Sequence, residues 1–296
     1  MTVAVGGGKA VPVLLDTGSN GLAILRQAVG GRAAVQSRVQ RLGAYGAEGI
    51  PTRGRLARGL VTIEGSPAVT TVKPVTFGAI TSFGVIGRIL AMEGAEGIMG
   101  VGQLPPSSTG AWSPVLLLRA PLSDGYTIAL NAPGGPQLIL GRPVKAKDSV
   151  TLPLLGPRVV AGPWGGPQTP RRYPDGSPAY QGLFKLCWRV VQRHACGTTL
   201  ADTGSPQGFV GESVIPGLAH VGAMLAPGIP ITVSTPPPRS IVVRSFVTST
   251  QSPELITGYA AEPLSGVLGT GSSIYTTNTV AYDLAAGQII LTPTQH

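Results

Sequence analysis

An all-β chain made of two related halves is what this sequence predicts, and three observations predict it. The tetrapeptide Asp-Thr-Gly-Ser occurs twice, at residues 16–19 and 202–205. Each copy is followed by the same pattern of Gly, two large apolar residues, Gly, any residue, Gly. It reads Gly97-Ile98-Met99-Gly100-Val101-Gly102 in the first half and Gly266-Val267-Leu268-Gly269-Thr270-Gly271 in the second. The remainder is mostly short apolar runs broken by Gly and Pro, which number 43 and 28 among 296 residues, a texture of strands and turns rather than of helices.

The repeat is read first, because self-similarity decides architecture before local propensity does. Val13-Leu14-Leu15 leads into the first Asp-Thr-Gly-Ser and Thr199-Leu200-Ala201 into the second, both apolar runs of strand type that end at a turn. A third echo closes each half. Residues 127–131 run through a Pro-Gly-Gly turn to 137–140, and residues 279–283 run through Ala-Ala-Gly to 288–291. Each is a hairpin signature. Gly-rich β chains repeat short strings by composition alone, but here three motifs recur in one order, which indicates duplication. The best helical candidate, Arg26 to Leu42, is interrupted by Gly30-Gly31. Leu60 to Ile63 reads as a strand. Gly162 to Gly182 and the Pro-rich Ala226 to Pro238 read as loops, and the lobe boundary falls near 143 to 160.

Composition excludes several classes. Apolar residues make up 43% and charged residues 12%, so the chain has material to bury and is not of the disordered kind. Runs such as Val115-Leu116-Leu117-Leu118 fall far short of the ~20 residues of a membrane-spanning helix. Met1-Thr2-Val3-Ala4 lacks the basic and apolar regions of a signal peptide, which suggests a domain cut from a longer protein. The net charge of +9 comes mainly from Arg, and seven of the seventeen lie between Arg26 and Arg58. Tyr45 is the sole aromatic residue among them, which argues for a solvated basic lip, facing an acidic partner or an anionic envelope, rather than for nucleic-acid binding. Three scattered His, at 194, 220 and 296, lack zinc-ligand spacing, so neither metal nor cofactor is expected. Cys187 and Cys196 flank a candidate hairpin, as a disulfide or as two reduced thiols.

The chemistry resides in the repeated tetrapeptide. Peptide hydrolysis without metal or covalent nucleophile needs an activated water and a proton for the leaving amine. Two carboxylates a few ångströms apart supply both, because like charges that close do not both ionise easily and the pair shares one proton. Asp16 and Asp202 are the candidates, and the shared proton belongs to the pair rather than to either residue. Gly18 and Gly204 let each loop turn tightly and free their N–H groups for the carboxylates.

On these residues the chain resembles the pepsin-like aspartic proteases, nearly end to end. Val3 to Leu25 is similar to that family's opening strand pair and first catalytic loop, Glu96 to Gly102 to the strand beneath the catalytic aspartate, Leu200 to Val210 to the second loop, and Ser265 to Pro293 to the closing strands. The Gly- and Pro-laden, Cys-poor texture is closer still to the aspartic-protease domains at the C-termini of mycobacterial PE/PGRS surface proteins. The resemblance implies a bilobal pepsin-like acid-protease fold, two related β lobes about a pseudo-two-fold axis with the active site in the cleft, residues 1–150 and 151–296. It implies an exported, cell-surface, monomeric endopeptidase that holds an extended peptide and needs no cofactor. Thr17 and Thr203 would reach across to the opposite loop, Ser19 and Ser205 would bond the outer carboxylate oxygens, and Ile98-Met99 and Val267-Leu268 would pack beneath. The flap maps to Arg41 to Gly65, where Tyr45 is either the flap tyrosine or an ordinary surface residue. Ala23 stands where pepsins often place Trp, and two Cys cannot form the family's three disulfides. A catalytically weak or inactive peptide-binding module is the alternative reading, and a Gly/Pro-rich adhesion module with architectural Asp-Thr-Gly turns is a third.

Overall fold

The computed structural model describes residues 1–45, 50–82, 84, 87, 90–91, 93–102, 111–156, 159–160, 169–170, 172–259 and 266–294. Strands dominate it, joined by short 3-10 turns such as Arg26–Ala28 and Pro114–Leu117. Two compact units emerge. The first is Met1–Ser123 with Arg172–Ser177, and the second is Asp124–Arg171 with Pro178–His296. The stretch 143–160, where the sequence suggested a boundary, therefore lies within the second unit.

The first unit holds a four-stranded and a seven-stranded sheet. In the smaller sheet Thr2–Val5 pairs with Val11–Pro12 and with Val61–Ile63, through Val3↔Val11 and Val3↔Ile63. The larger sheet runs in the order Leu14–Asp16, Gly97–Val101, Asn20–Leu25, Val75–Ser82, Ile50–Gly59, Ala34–Val35, with Gln40–Tyr45 also paired to Ile50–Gly59. Its apolar face collects Ala23, Leu42, Ile80, Leu90, Ala95 and Ile98 into one buried cluster, against which Leu14, Leu25 and Leu56 pack. Burial of the large side chains Leu42, Ile80, Leu90 and Ile98, each contributing on the order of 1.5–3 kcal/mol, holds the strands in register. Residues 26–42 are not a helix. After one 3-10 turn the chain becomes strand at Ala34–Val35, opposite Arg58 and Ala57, because the edge of the large sheet offers it backbone partners.

The second unit holds a nine-stranded sheet in the order His220–Val221, Met224–Leu225, Thr257–Tyr259, Gly208–Val210, Val267–Gly271, Arg193–Ala201, Leu183–Val190, Pro230–Ser234, Val242–Val247. Pro230–Ser234 corrects the reading of 226–238 as a loop. Pro230 takes the first strand position, where no ladder donor is needed, and the alternating Ile231 and Val233 are fully buried. A five-stranded sheet runs Gln137–Leu140, Gly125–Ala129, Asn278–Asp283, Gln288–Pro293, Val150–Pro153. Both closing hairpins read from the sequence are present in it, paired to each other. Residues 162–168 and 171 of the other expected loop lie outside the described residues, while Thr169–Pro170 pairs with Val159–Val160.

Candidate functional site: two acidic loops of one construction

Both Asp-Thr-Gly-Ser loops have one construction. Leu14–Asp16 enters the first loop and Asn20–Leu25 leaves it, yet these strands are not paired to each other. Gly97–Val101 lies between them, parallel to the first with Gly100 opposite Asp16, and antiparallel to the second with Gly100 opposite Gly21. The second loop repeats this. Arg193–Ala201 enters, Gly208–Val210 leaves, and Val267–Gly271 runs between, parallel through Leu200↔Gly269 and antiparallel through Phe209↔Gly269. In each case a further strand joins parallel to the leaving strand, Val75–Ser82 in the first unit and Thr257–Tyr259 in the second. The sequence repeat is thus a repeat of topology within each unit.

The central strand explains its own glycines. At Gly102 a Cβ would stand 2.3 Å from the carbonyl oxygen of Thr17, and its amide donates to Ser19 O at 2.9 Å. At Gly271, with φ of +55°, a Cβ would stand 2.3 Å from Gln207 O. Only glycine lets the crossing strand lie that close under each loop. Of the two apolar pairs, Met99 and Leu268 are fully buried, Ile98 belongs to the core cluster, and Val267 is half-buried.

Asp16 ends its strand 7% exposed, and Thr17 beside it is 2% exposed. Its Oδ1 accepts the Gly18 amide at 2.7 Å and its Oδ2 accepts the Ser19 hydroxyl at 2.5 Å. Asp202 is half-buried, its Oδ1 accepts the Gly204 amide at 2.8 Å, and its own amide donates to Gly271 O at 3.3 Å. The same short-range bond, from the amide two residues on, therefore orients both carboxylates. The third partner differs. Ser205 donates its hydroxyl to the carbonyl of Gln207 at 2.9 Å, and a hydroxyl has one proton to give, so it departs from the expected bond to the outer carboxylate oxygen.

Several supporting residues carry no sequence signal. Tyr275 and Tyr282 bring their hydroxyls to 3.1 Å, and the Tyr275 hydroxyl also donates to Ala201 O at 3.4 Å, the carbonyl just before Asp202. Trp188 Nε1 donates at 3.2 Å to the hydroxyl of Thr199, two positions earlier on the entering strand. These buried polar contacts fix the strand that presents Asp202. No local pattern marks them, because each joins residues brought together only by the tertiary fold, Tyr275 from the 3-10 turn Ser272–Thr276.

Tyr45 ends the strand Gln40–Tyr45 opposite Ile50, so 43–45 belong to a hairpin arm. The tip, 46–49, and the Tyr45 side chain lie outside what is described. Ala23 is buried in the core cluster, and Cys187 and Cys196 form a disulfide, which resolves the two alternatives for that pair.

A family model described as the PE-PGRS C-terminal aspartyl peptidase-like domain matches residues 1–151. That stretch contains the first loop, its crossing strand and the first closing hairpin; the second loop lies beyond it. No curated protein matches the chain.

Proposed function

Because the chain belongs to the PE-PGRS C-terminal aspartyl peptidase-like domain family, we propose that it is an aspartic endopeptidase whose acid/base pair is Asp16 and Asp202. The observation that carries this reading is the duplicated loop. Asp16 ends its entering strand and Asp202 directly follows its own, each with its Oδ1 held by the glycine amide two residues on, at 2.7 and 2.8 Å. A carboxylate so oriented by backbone is preorganised and costs little to position during reaction.

The chemistry then follows from the pair. The ionised carboxylate takes a proton from a water placed between the two, and that water attacks the peptide carbonyl. The protonated partner polarises the carbonyl oxygen and later supplies the proton that lets the amine leave. Thr17, Gly18 and Ser19, with Thr203, Gly204 and Ser205, keep the two loops rigid. Tyr45, on the hairpin Gln40–Tyr45/Ile50–Gly59, is the candidate to close over the substrate. The substrate is an extended peptide, bound by a monomer exported to the cell surface. No described helix is long and apolar enough to cross a membrane.

A second reading, a peptide-binding module of weak or no activity, is favoured by one observation. The Ser205 hydroxyl is committed to Gln207 O, whereas Ser19 bonds its aspartate. Cleavage of an unfolded protein from ~pH 4 to 7 separates the two readings. Wild type cutting with an acidic optimum, and Asp16→Asn and Asp202→Asn each losing about 10³-fold or more, is the enzyme's result. Folded wild type that binds peptide without cutting it is the module's.

A further inference from the structure

The outer edge of the seven-stranded sheet carries a charge pattern that the acid/base pair does not use. Ala34–Val35 and Gln40–Tyr45 both pair with Ile50–Gly59 and, among the described strands, with no other. Their outer backbone edge is therefore open. From Ala34 to Arg41 every residue except Ser37 is exposed, with Val35 at 55% and Val39 at 52%. Between Arg26 and Arg58 the chain has seven Arg and a single acid, Glu48.

Two of these arginines stand directly opposite each other. Arg41 and Arg53 are partners in the ladder, so both lie on one face of the hairpin, and both are exposed. Arg55, two residues beyond Arg53, shares that face. It is half-buried, and its Nε is buried without a hydrogen-bond partner. The opposite face turns into the protein, where Thr52 is buried and Leu56 packs on the core cluster. Among the described residues the one ion pair is Arg142 with Asp283, in the second unit, so no described carboxylate neutralises these three.

Like charges directly opposite in a ladder destabilise it. Protecting a sheet edge from aggregation needs charge, but one charge at that position supplies it, and lysine is the usual choice. A matched pair of arginines, each able to grip a carboxylate through two parallel hydrogen bonds, is instead a feature of recognition.

We infer that this edge is a docking site for an acidic polypeptide segment. The segment adds in extended form as a further strand alongside residues 34–41 and sets its carboxylates against Arg41 and, one strand further in, Arg53. Backbone hydrogen bonds to the open edge supply affinity, and the arginines supply the preference for acidic side chains. The exposed Val35 and Val39 offer contact to apolar residues between the acids. A lipid headgroup or a nucleotide meets the guanidiniums alone, whereas a polypeptide meets the backbone edge as well. The site makes no use of Asp16 or Asp202, so binding tests it and cleavage does not enter.

The test is fluorescence anisotropy of the full chain with a labelled peptide of about ten residues alternating Glu and Val, whose extended form sets all its carboxylates on one face. Saturable binding is expected at ~0.05 M salt, weakening by about tenfold or more at ~0.5 M, where exposed charges are screened. The same peptide with Lys in place of Glu should not bind. Nor should the peptide N-methylated throughout, which has no backbone donors. Arg41→Glu should weaken binding by about tenfold or more and yet raise Tm by about 1–3 °C, because it replaces a repulsion with Arg53 by an attraction. Arg239→Glu, an equal charge change at an exposed position of the second unit, should leave binding within about twofold of wild type. Phosphatidylglycerol vesicles and duplex DNA are the competing ligands. Failure of the acidic peptide to bind would overturn the inference, as would binding of the N-methylated peptide or equal binding by Arg41→Glu. So would vesicles or DNA bound as tightly as the peptide and with the same loss in Arg41→Glu, or a fall in Tm in that variant, which would make Arg41 structural.

Discussion

Ile128 and Val280 stand opposite each other in the antiparallel ladder between the two closing hairpins, and they are the same residue of the repeat. Aligning 127–131 with 279–283 makes 128 the equivalent of 280, so a local two-fold axis passes between these side chains. Both are fully buried. Two pairs away, Tyr126 and Tyr282 stack with ring centroids 4.9 Å apart. The first closing hairpin thus finds its partner in the second, although more than a hundred residues separate them.

This pairing predicts coupled energetics. Ile128→Ala and Val280→Ala should each destabilise the protein by about 2–4 kcal/mol. The double variant should depart from additivity by about 0.5 kcal/mol or more, since the side chains share one cavity. Urea unfolding of the four proteins measures the cycle, and strict additivity would contradict direct contact across the axis.

The crossing strands predict intolerance of a single methyl. Gly102→Ala forces a Cβ toward Thr17 O, a backbone atom of the first loop. It should cost about 2 kcal/mol of stability and, by displacing Asp16, on the order of 10²-fold in kcat/KM. Gly31→Ala, where an added Cβ has nothing within 4 Å, should be neutral within about 0.5 kcal/mol.

Serine asymmetry predicts unequal variants. Ser19→Ala removes a donor from the Asp16 carboxylate, a charge-assisted bond whose loss amounts to about 10–10²-fold in kcat with little change in KM. Ser205→Ala removes a bond to Gln207 O, so it should act chiefly on stability, by about 1 kcal/mol. Steady-state kinetics of the two variants decide, and equal kcat losses would refute the asymmetry.

The tyrosine pair behind the second loop predicts non-additivity of another kind. Tyr275→Phe takes the donor from Ala201 O and a partner from the Tyr282 hydroxyl, and should cost about 1–3 kcal/mol. Adding Tyr282→Phe should cost much less than it does alone, because the interaction is already broken. Thermal unfolding of the single and double variants checks it.

Much of this was legible beforehand. Strands, turns and hairpins are local, and the apolar run at 289–291 or the Gly turns nearby announce themselves within a dozen residues. The two aspartates were legible because duplication printed the same tetrapeptide twice, and a short Asx-type turn carries its own hydrogen-bond geometry. Where local reading failed, a neighbour decided. Ala34–Val35 became strand because Arg58 and Ala57 offered an edge, and Pro230–Ser234 because Ile231 and Val233 had a core to enter.

The sequence by itself thus determined the β class and the twofold repeat with its two Asp-Thr-Gly-Ser loops, since each is written in contiguous residues. Only tertiary structure decided that Gly100 would lie between Asp16 and Gly21, that the hydroxyls of Ser19 and Ser205 would take different partners, and that Tyr275 would hold the carbonyl before Asp202. It also decided that Cys187, His194 and Cys196 would share one face of a hairpin. The serine partners and the Tyr275 bond depend on how the packed loops and the 3-10 turn settle. The crossing strand and the shared face arise when sheet pairing brings separate strands together, and no residue pattern along a single strand encodes its neighbour across the ladder.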